Sequence, residues 1–184
     1  SGWKGELQGL TKAIEKANNC QVITEVPQAE SRNVSLFNGM KTYAWFDIYG
    51  ISPDITEDVD GIKEASSKLE KLIDYFATKH SIPHKRIVLG GFSQGGALAL
   101  IHCILTKKEL GGLIVHSSFL PCYKDYLCKQ KIDKKSTPTL FIHGKQDPTV
   151  LYDYGYSSYK ASLNYLSNIK FLSFENLGHS ADIK

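Results

Sequence analysis

The sequence predicts an α/β fold, a mostly parallel sheet with helices on both faces. Short β-branched apolar runs alternate with stretches of helical periodicity, the order that builds parallel sheets from strand–helix–strand units. One strand-to-helix junction also carries Gly91-Phe92-Ser93-Gln94-Gly95, a Gly-x-Ser-x-Gly pattern. The length of 184 residues corresponds to about one domain, large enough to bury a core without a disulfide or metal staple.

The elements follow in chain order. Residues 3–17 place Leu7, Leu10, Ile14 and Ala17 on one helical face. Cys20–Val26 reads as a strand, stopped by Pro27. Residues 28–57 lack periodicity and carry Asn33, Asn38, Gly39, Gly50 and Pro53; a long structured loop is expected there, of the kind that is functional or holds small elements of its own. In 58–80, Ile62, Ala65, Leu69, Leu72, Ile73 and Phe76 form an apolar stripe opposite Lys and Glu, the clearest helix in the chain. Ile87–Gly91 reads as a buried strand, and 94–106 as a helix apolar on most sides, hence buried. Strands at 113–116, 139–143 and 169–174 and a helix at 154–166 complete the pattern, with a second loop region at 117–137.

Composition excludes several classes. With 42% hydrophobic and 22% charged residues, the chain is neither disordered nor fibrous. Twenty-two Lys and Arg against 19 Asp and Glu leave +3, too weak and scattered to predict a nucleic-acid or anionic-membrane partner. The longest apolar run, Ala97–Leu105, is interrupted by His102 and is too short to cross a bilayer. Lys4, Glu6, Lys12, Glu15 and Lys16 leave no visible secretory signal. The spacing of Cys20, Cys103, Cys122 and Cys128 fits no zinc pattern, and free thiols in a reducing compartment are expected.

The Gly-x-Ser-x-Gly pattern acquires meaning from its setting between an apolar strand and an apolar helix. There the serine occupies a sharp turn, exposed at the helix start. Gly91 and Gly95 are expected to remove side chains that would collide where strand and helix cross. The helix N-terminus offers backbone N–H groups and a positive dipole end to a developing oxyanion. A serine hydroxyl needs a base, and on this architecture the acid and then the histidine follow the serine in the chain. Asp147, in a turn after the strand 139–143, is the expected acid; His179, the only later histidine, is the expected base. His80 and His84 flank a helix end, while His102, His116 and His143 read as satisfied core residues. No metal or dinucleotide cofactor is predicted, because the one i,i+4 histidine pair, His80 and His84, straddles a helix end and Pro83 rather than sharing a helical face, and no Gly-x-Gly-x-x-Gly occurs.

These residues resemble a known family. The stretch from Ile87 through Ser93 to Ala97 is similar to the nucleophile turn of the acyl-protein thioesterase/lysophospholipase (phospholipase/carboxylesterase) family of the α/β-hydrolase fold. Trp45-Phe46-Asp47, Gly50-Ile51-Ser52-Pro53-Asp54, His143-Gly144 with Asp147-Pro148 and Val150, and Gly178-His179 extend the likeness over nearly the whole chain. The resemblance implies a triad of Ser93, Asp147 and His179, and an oxyanion hole using the backbone N–H of Gln94. It also implies an acyl channel near Trp45, Phe46, Phe119 and Leu120, and a cytoplasmic enzyme without cofactor. The implied substrates are acylated proteins or lysophospholipids. A general short-chain carboxylesterase and a non-catalytic acyl-binding scaffold are the alternatives.

Gly2-Trp3 matches the end of the family's His-Gly-x-Gly-Asp…Gly-Trp stretch, and the preceding strand and oxyanion loop are not in the sequence. A single α/β-hydrolase domain, 1–184, is therefore expected to be partial, lacking N-terminal strands and a C-terminal helix. Without that central strand, a gap of about 9–10 Å is expected between Cys20–Val26 and Ile87–Gly91.

Overall fold

The computed structural model describes residues 3–180. The chain divides into a short unit, Ser1–Glu30, and a larger one, Ser31–Lys184. In the first, helix α1 (Trp3–Asn18) ends where Asn19 takes a left-handed φ of 47°, a common way to stop a helix. The expected strand at Cys20–Val26 does not form. Its backbone is drawn to α1 instead: the Cys20 N–H donates to the Glu15 carbonyl at 3.4 Å and the Val22 N–H to Glu15 Oε1 at 2.8 Å. A strand without a ladder partner has no way to satisfy its own backbone.

The second unit opens with a hairpin, a small element inside the stretch 28–57 that is expected as a long structured loop. Strands β1 (Ser31–Val34) and β2 (Met40–Tyr43) pair antiparallel, and the chain turns through Asn38 at φ 53° and Gly39 at φ 76°. Asn-Gly is the residue pair that tolerates positive φ in such a turn, so a signal was present.

The main sheet contains β3 (Val88–Phe92), β4 (Gly112–His116), β5 (Thr139–Gly144) and β6 (Ile169–Phe174), all parallel and in that order. The expected strands agree with these within one residue at each end. Register aligns Phe92 with His116 and His116 with Ile142. The loops carrying Ser93, Asp147 and His179 thus leave from the carboxyl edge of one sheet, where open α/β sheets build sites. β3 is an edge strand: among the described residues nothing pairs with its other side, and Val88 is 56% exposed.

Helices α2 (Val59–Lys79), α3 (Gln94–Leu105) and α4 (Tyr152–Ser162) complete the unit. Gly96 through Ile104 of α3 are all buried, as its apolar pattern requires. α4 ends four residues before the expected Leu166, because Lys135 claims the following backbone: its N–H donates to the Tyr165 carbonyl, and its carbonyl accepts from Ser167 N–H, each at 2.8 Å.

Polar groups lock α2 to α3. His102 Nδ1 meets Ser66 Oγ at 3.0 Å, and its Nε2 meets Glu70 Oε2 at 3.0 Å. Lys108 joins Glu70 and Asp74. Lys135 Nζ donates to the Cys103 and Thr106 carbonyls at the end of α3, satisfying groups that a helix terminus leaves open.

Asp58 starts α2 and ties it to the preceding loop. Its Oδ1 accepts from Gly61 N–H at 2.9 Å and its Oδ2 from Asp47 N–H at 2.9 Å. Replacing Asp58 by Ala removes the cap and strands the Asp47 N–H. Urea denaturation is expected to show a loss of about 1–2 kcal/mol; an unchanged midpoint would show that neither bond contributes.

Candidate active site

The turn from β3 into α3 is built around one strained residue. Ser93 has φ 51° and ψ −122°, a conformation that non-glycine residues adopt at a cost of about 1–3 kcal/mol. Three hydrogen bonds hold it: Ser93 N–H to the His116 carbonyl at 2.9 Å, and Ala97 N–H and Ser118 Oγ to the Ser93 carbonyl at 3.0 and 2.7 Å. A Cβ on Gly91 would stand 2.2 Å from the Gly95 carbonyl group, so only glycine fits. At Gly95 a Cβ would meet nothing within 4 Å, whereas at Gly96 it would press on the Gly91 carbonyl oxygen and the Ser118 side chain at 2.8 Å. The expected collision at Gly95 is therefore corrected: Gly91 crosses the Gly95–Gly96 backbone, and it is Gly96, not Gly95, that has no room for a side chain.

Asp147 and His179 meet as a pair. His179 Nδ1 lies 3.0 and 2.9 Å from the two oxygens of Asp147. The Asp147 side chain is fully buried, and its Oδ1 also accepts from Thr149 and Val150 N–H, both at 2.9 Å. Burial alone would raise this carboxyl; the bonds from His179, Thr149 and Val150 outweigh it and hold the pKa below the ordinary value. The His179 ring stands 4.5 Å from the Phe92 ring, against the residue that precedes Ser93. No hydrogen bond joins Ser93 Oγ to His179 among the described residues, a looseness common in unliganded sites.

His143 fulfils its expectation as a satisfied core residue. It is buried, with Nε2 at 2.8 Å from the Val150 carbonyl and 3.7 Å from Asp147 Oδ2. It thus braces the turn that presents Asp147. His102 is satisfied only in part: Nδ1 bonds to Ser66 Oγ, whereas its buried Nε2 lies 3.0 Å from Glu70 Oε2 without making a hydrogen bond. His116 departs further from the expectation: its buried Nε2 has no hydrogen-bond partner among the described residues, and burial together with the nearby His143 and His179 lowers its pKa.

Gln94, expected to act through its backbone N–H as the first residue of α3, has a second connection through its side chain. Its Oε1 accepts from Trp45 N–H at 3.0 Å and its Nε2 donates to the Phe46 carbonyl at 2.8 Å. Trp45 is partly buried against the core, whereas Phe46, Phe119 and Leu120 are only 2%, 4% and 3% exposed. Phe46 and Phe119 border a cavity of about 10 Å³, room for a single water. Leu120 is buried in the core and does not line it.

Glu57 on the same cavity was not singled out from the sequence. Its carboxylate accepts from Cys122 N–H. Burial pushes the Glu57 carboxyl up to about 7; the Cys122 bond pulls the other way and Asp125 adds to the rise. Nothing in the local sequence marks it, because its burial comes from the distant loop 117–123.

A parallel sheet whose β3–α3 turn strains a serine, with an Asp–His pair on later loops at the same edge, defines a hydrolase on the α/β-hydrolase fold. The chain belongs to the phospholipase/carboxylesterase family, whose model matches residues 2–184. It is similar to acyl-protein thioesterase 1 of Yarrowia lipolytica, 35% identical over 98% of this chain and 79% of the relative. Among solved structures it is similar to Arabidopsis thaliana SOBER1, with TM-score 0.74 and 27% identity over 85% of this chain and 75% of that one. Acyl-protein thioesterase 2 of Zea mays gives TM-score 0.70 and 27% identity over 94% of this chain and 82% of that one. The chain is a serine hydrolase of acyl esters and thioesters.

Two tests follow from this geometry. Gly91→Ala is expected to lose several kcal/mol or fail to fold, while Gly95→Ala stays within about 0.5 kcal/mol of the parent or gains slightly; urea midpoints separate them. Glu57→Gln keeps an acceptor for Cys122 and removes the charge. Because the folded pKa of about 7 lies above the ordinary 4.5, the Glu57 contribution is greatest at low pH and is lost as pH rises towards and through 7. The stability of Glu57→Gln relative to the parent should therefore rise between pH 5 and pH 8, read from paired urea melts.

Proposed function

We propose that Ser93, His179 and Asp147 form the catalytic triad of a cytoplasmic enzyme that releases acyl chains from protein thioesters. The observation that carries this reading is the Asp147–His179 pair, with two contacts of 2.9–3.0 Å at Nδ1, on the sheet edge where Ser93 is strained into a half-buried turn. Binding at Nδ1 leaves Nε2 to take a proton. Ser93 Oγ attacks the carbonyl carbon while its proton passes to His179 Nε2, and Asp147 stabilises the resulting imidazolium. The Gln94 backbone N–H, at the start of α3, donates to the oxyanion. Collapse expels the thiolate, which takes the proton from His179; water then attacks the acyl-enzyme by the same route. The relatives named thioesterases support the thioester as substrate, and four unpaired cysteines fit a reducing compartment.

A second reading, a hydrolase of short soluble esters, draws on the one-water cavity beside Phe46 and Phe119. The rates on short- and long-chain p-nitrophenyl esters distinguish the two: a preference for the long chain supports the first, a preference for acetate the second.

The triad itself is tested with a fluorophosphonate probe. Ser93→Ala is expected to abolish labelling and hydrolysis. Asp147→Asn should lower kcat by about 10⁴-fold by favouring the wrong imidazole tautomer. Persistent labelling of Ser93→Ala removes Ser93 from the role of nucleophile.

A further inference from the structure

We infer that the Gln94 side chain is a positioning residue that sets acyl-chain preference by holding the Trp45–Phe46 segment beside the nucleophile. This rests on the assignment of Ser93 above. Every polar backbone contact of 45–47 described here runs to one of two side chains. Trp45 N–H and the Phe46 carbonyl are taken by Gln94, and Asp47 N–H is taken by Asp58. None pairs with a strand. Gln94 offers one acceptor and one donor to consecutive residues, as a neighbouring strand would, and so stands in for a sheet partner.

The consequence is positional. Ser93 precedes Gln94 directly, so the Trp45–Phe46 backbone lies within one glutamine side chain of the residue next to the nucleophile. Asp47 fixes the far side of the segment: its oxygens accept from Ser35 N–H at 2.7 Å, Ser35 Oγ at 2.6 Å and Ile48 N–H at 2.8 Å. The hairpin β1–β2, the start of α2 and the start of α3 thus converge on three residues. Phe46 closes one wall of the cavity whose other wall includes Phe119. In this reading an acyl chain longer than acetate, carried on Ser93, runs against the Trp45–Phe46 segment, whose placement relative to Ser93 depends on the two amide bonds. Glutamine suits the task because aspartate or glutamate cannot donate and lysine cannot accept.

The test compares kcat/KM for p-nitrophenyl octanoate and p-nitrophenyl acetate in the full chain. In Gln94→Met, which keeps the length and loses both bonds, the octanoate-to-acetate ratio is expected to fall about tenfold, the order set by two lost hydrogen bonds. Gln94→Glu keeps the acceptor for Trp45 and sets a carboxylate against the Phe46 carbonyl; its ratio should fall at least as far. Because the ratio cancels the folded fraction and the chemistry at Ser93, a merely structural role would leave it unmoved. A ratio within twofold of the parent in both variants overturns the inference. Should Gln94→Met not fold, Gln94→Glu decides; collapse of both overturns it too, since the clamp then holds the fold and not the acyl group. Ser93→Ala is run alongside. If it still hydrolyses the esters, the reading of Ser93 falls first; if it is inactive while the ratio is unchanged, only the role of Gln94 falls.

Discussion

The reversal of chain direction at Ser93 is the constraint on which the other contacts depend. β3 must end and α3 begin within a single residue, so the strand and helix backbones cross closely enough that Gly91 and Gly96 have no room for a side chain. That crossing puts Ser93 at φ 51°, and the cost is offset by bonds to His116 and Ser118 on the neighbouring strand and its loop. Once α3 is seated, its buried face brings His102 to Ser66 and Glu70, which fixes α2. Its first residue, Gln94, reaches the segment at 45–46. The site is therefore a product of one turn and the contacts radiating from it, consistent with strain concentrated where function is exposed.

Much of this was legible in the sequence because it is local. Apolar periodicity placed α2, α3 and all four main-sheet strands, since each element records its own burial face. Asp147 and His179 could be chosen by chain order and by their position after strands, without any knowledge of distance. What remained hidden is what distant residues do to one another. Cys20–Val26 has the composition of a strand, but a strand is a property of a pair, and its backbone bonds to Glu15 instead. Gly95 belongs to the motif while Gly96 carries the steric load, a distinction set by where Ser118 lies. The hairpin inside 28–57 is marked locally only by Asn38-Gly39, because its short strands lack apolar alternation.

Two carboxyls, Asp147 buried and Glu57 half-buried, show how placement separates roles among identical groups. Asp147 receives three donors and stays ionised despite its burial; an ionised acid is what an imidazole needs when it becomes charged. Glu57 receives one backbone donor and has Asp125 nearby, and burial prevails. The difference lies in the number of donors supplied. The turn Asp147-Pro148-Thr149-Val150 folds its own N–H groups back onto the acid, whereas Glu57 depends on Cys122 from a separate loop.

The same reasoning explains why a Trp-Phe-Asp segment can be placed accurately without belonging to a sheet. Buried backbone groups must find partners, and a segment without a strand neighbour must find them among side chains. Gln94 and Asp58 supply them, and both residues stand at the starts of helices packed into the unit. Any motion of the 45–47 segment must break bonds to α2 and α3 together. The aromatic wall beside Phe46 is for that reason coupled to the nucleophile turn through two rigid elements, and the shape of the cavity is set by the same packing that strains Ser93.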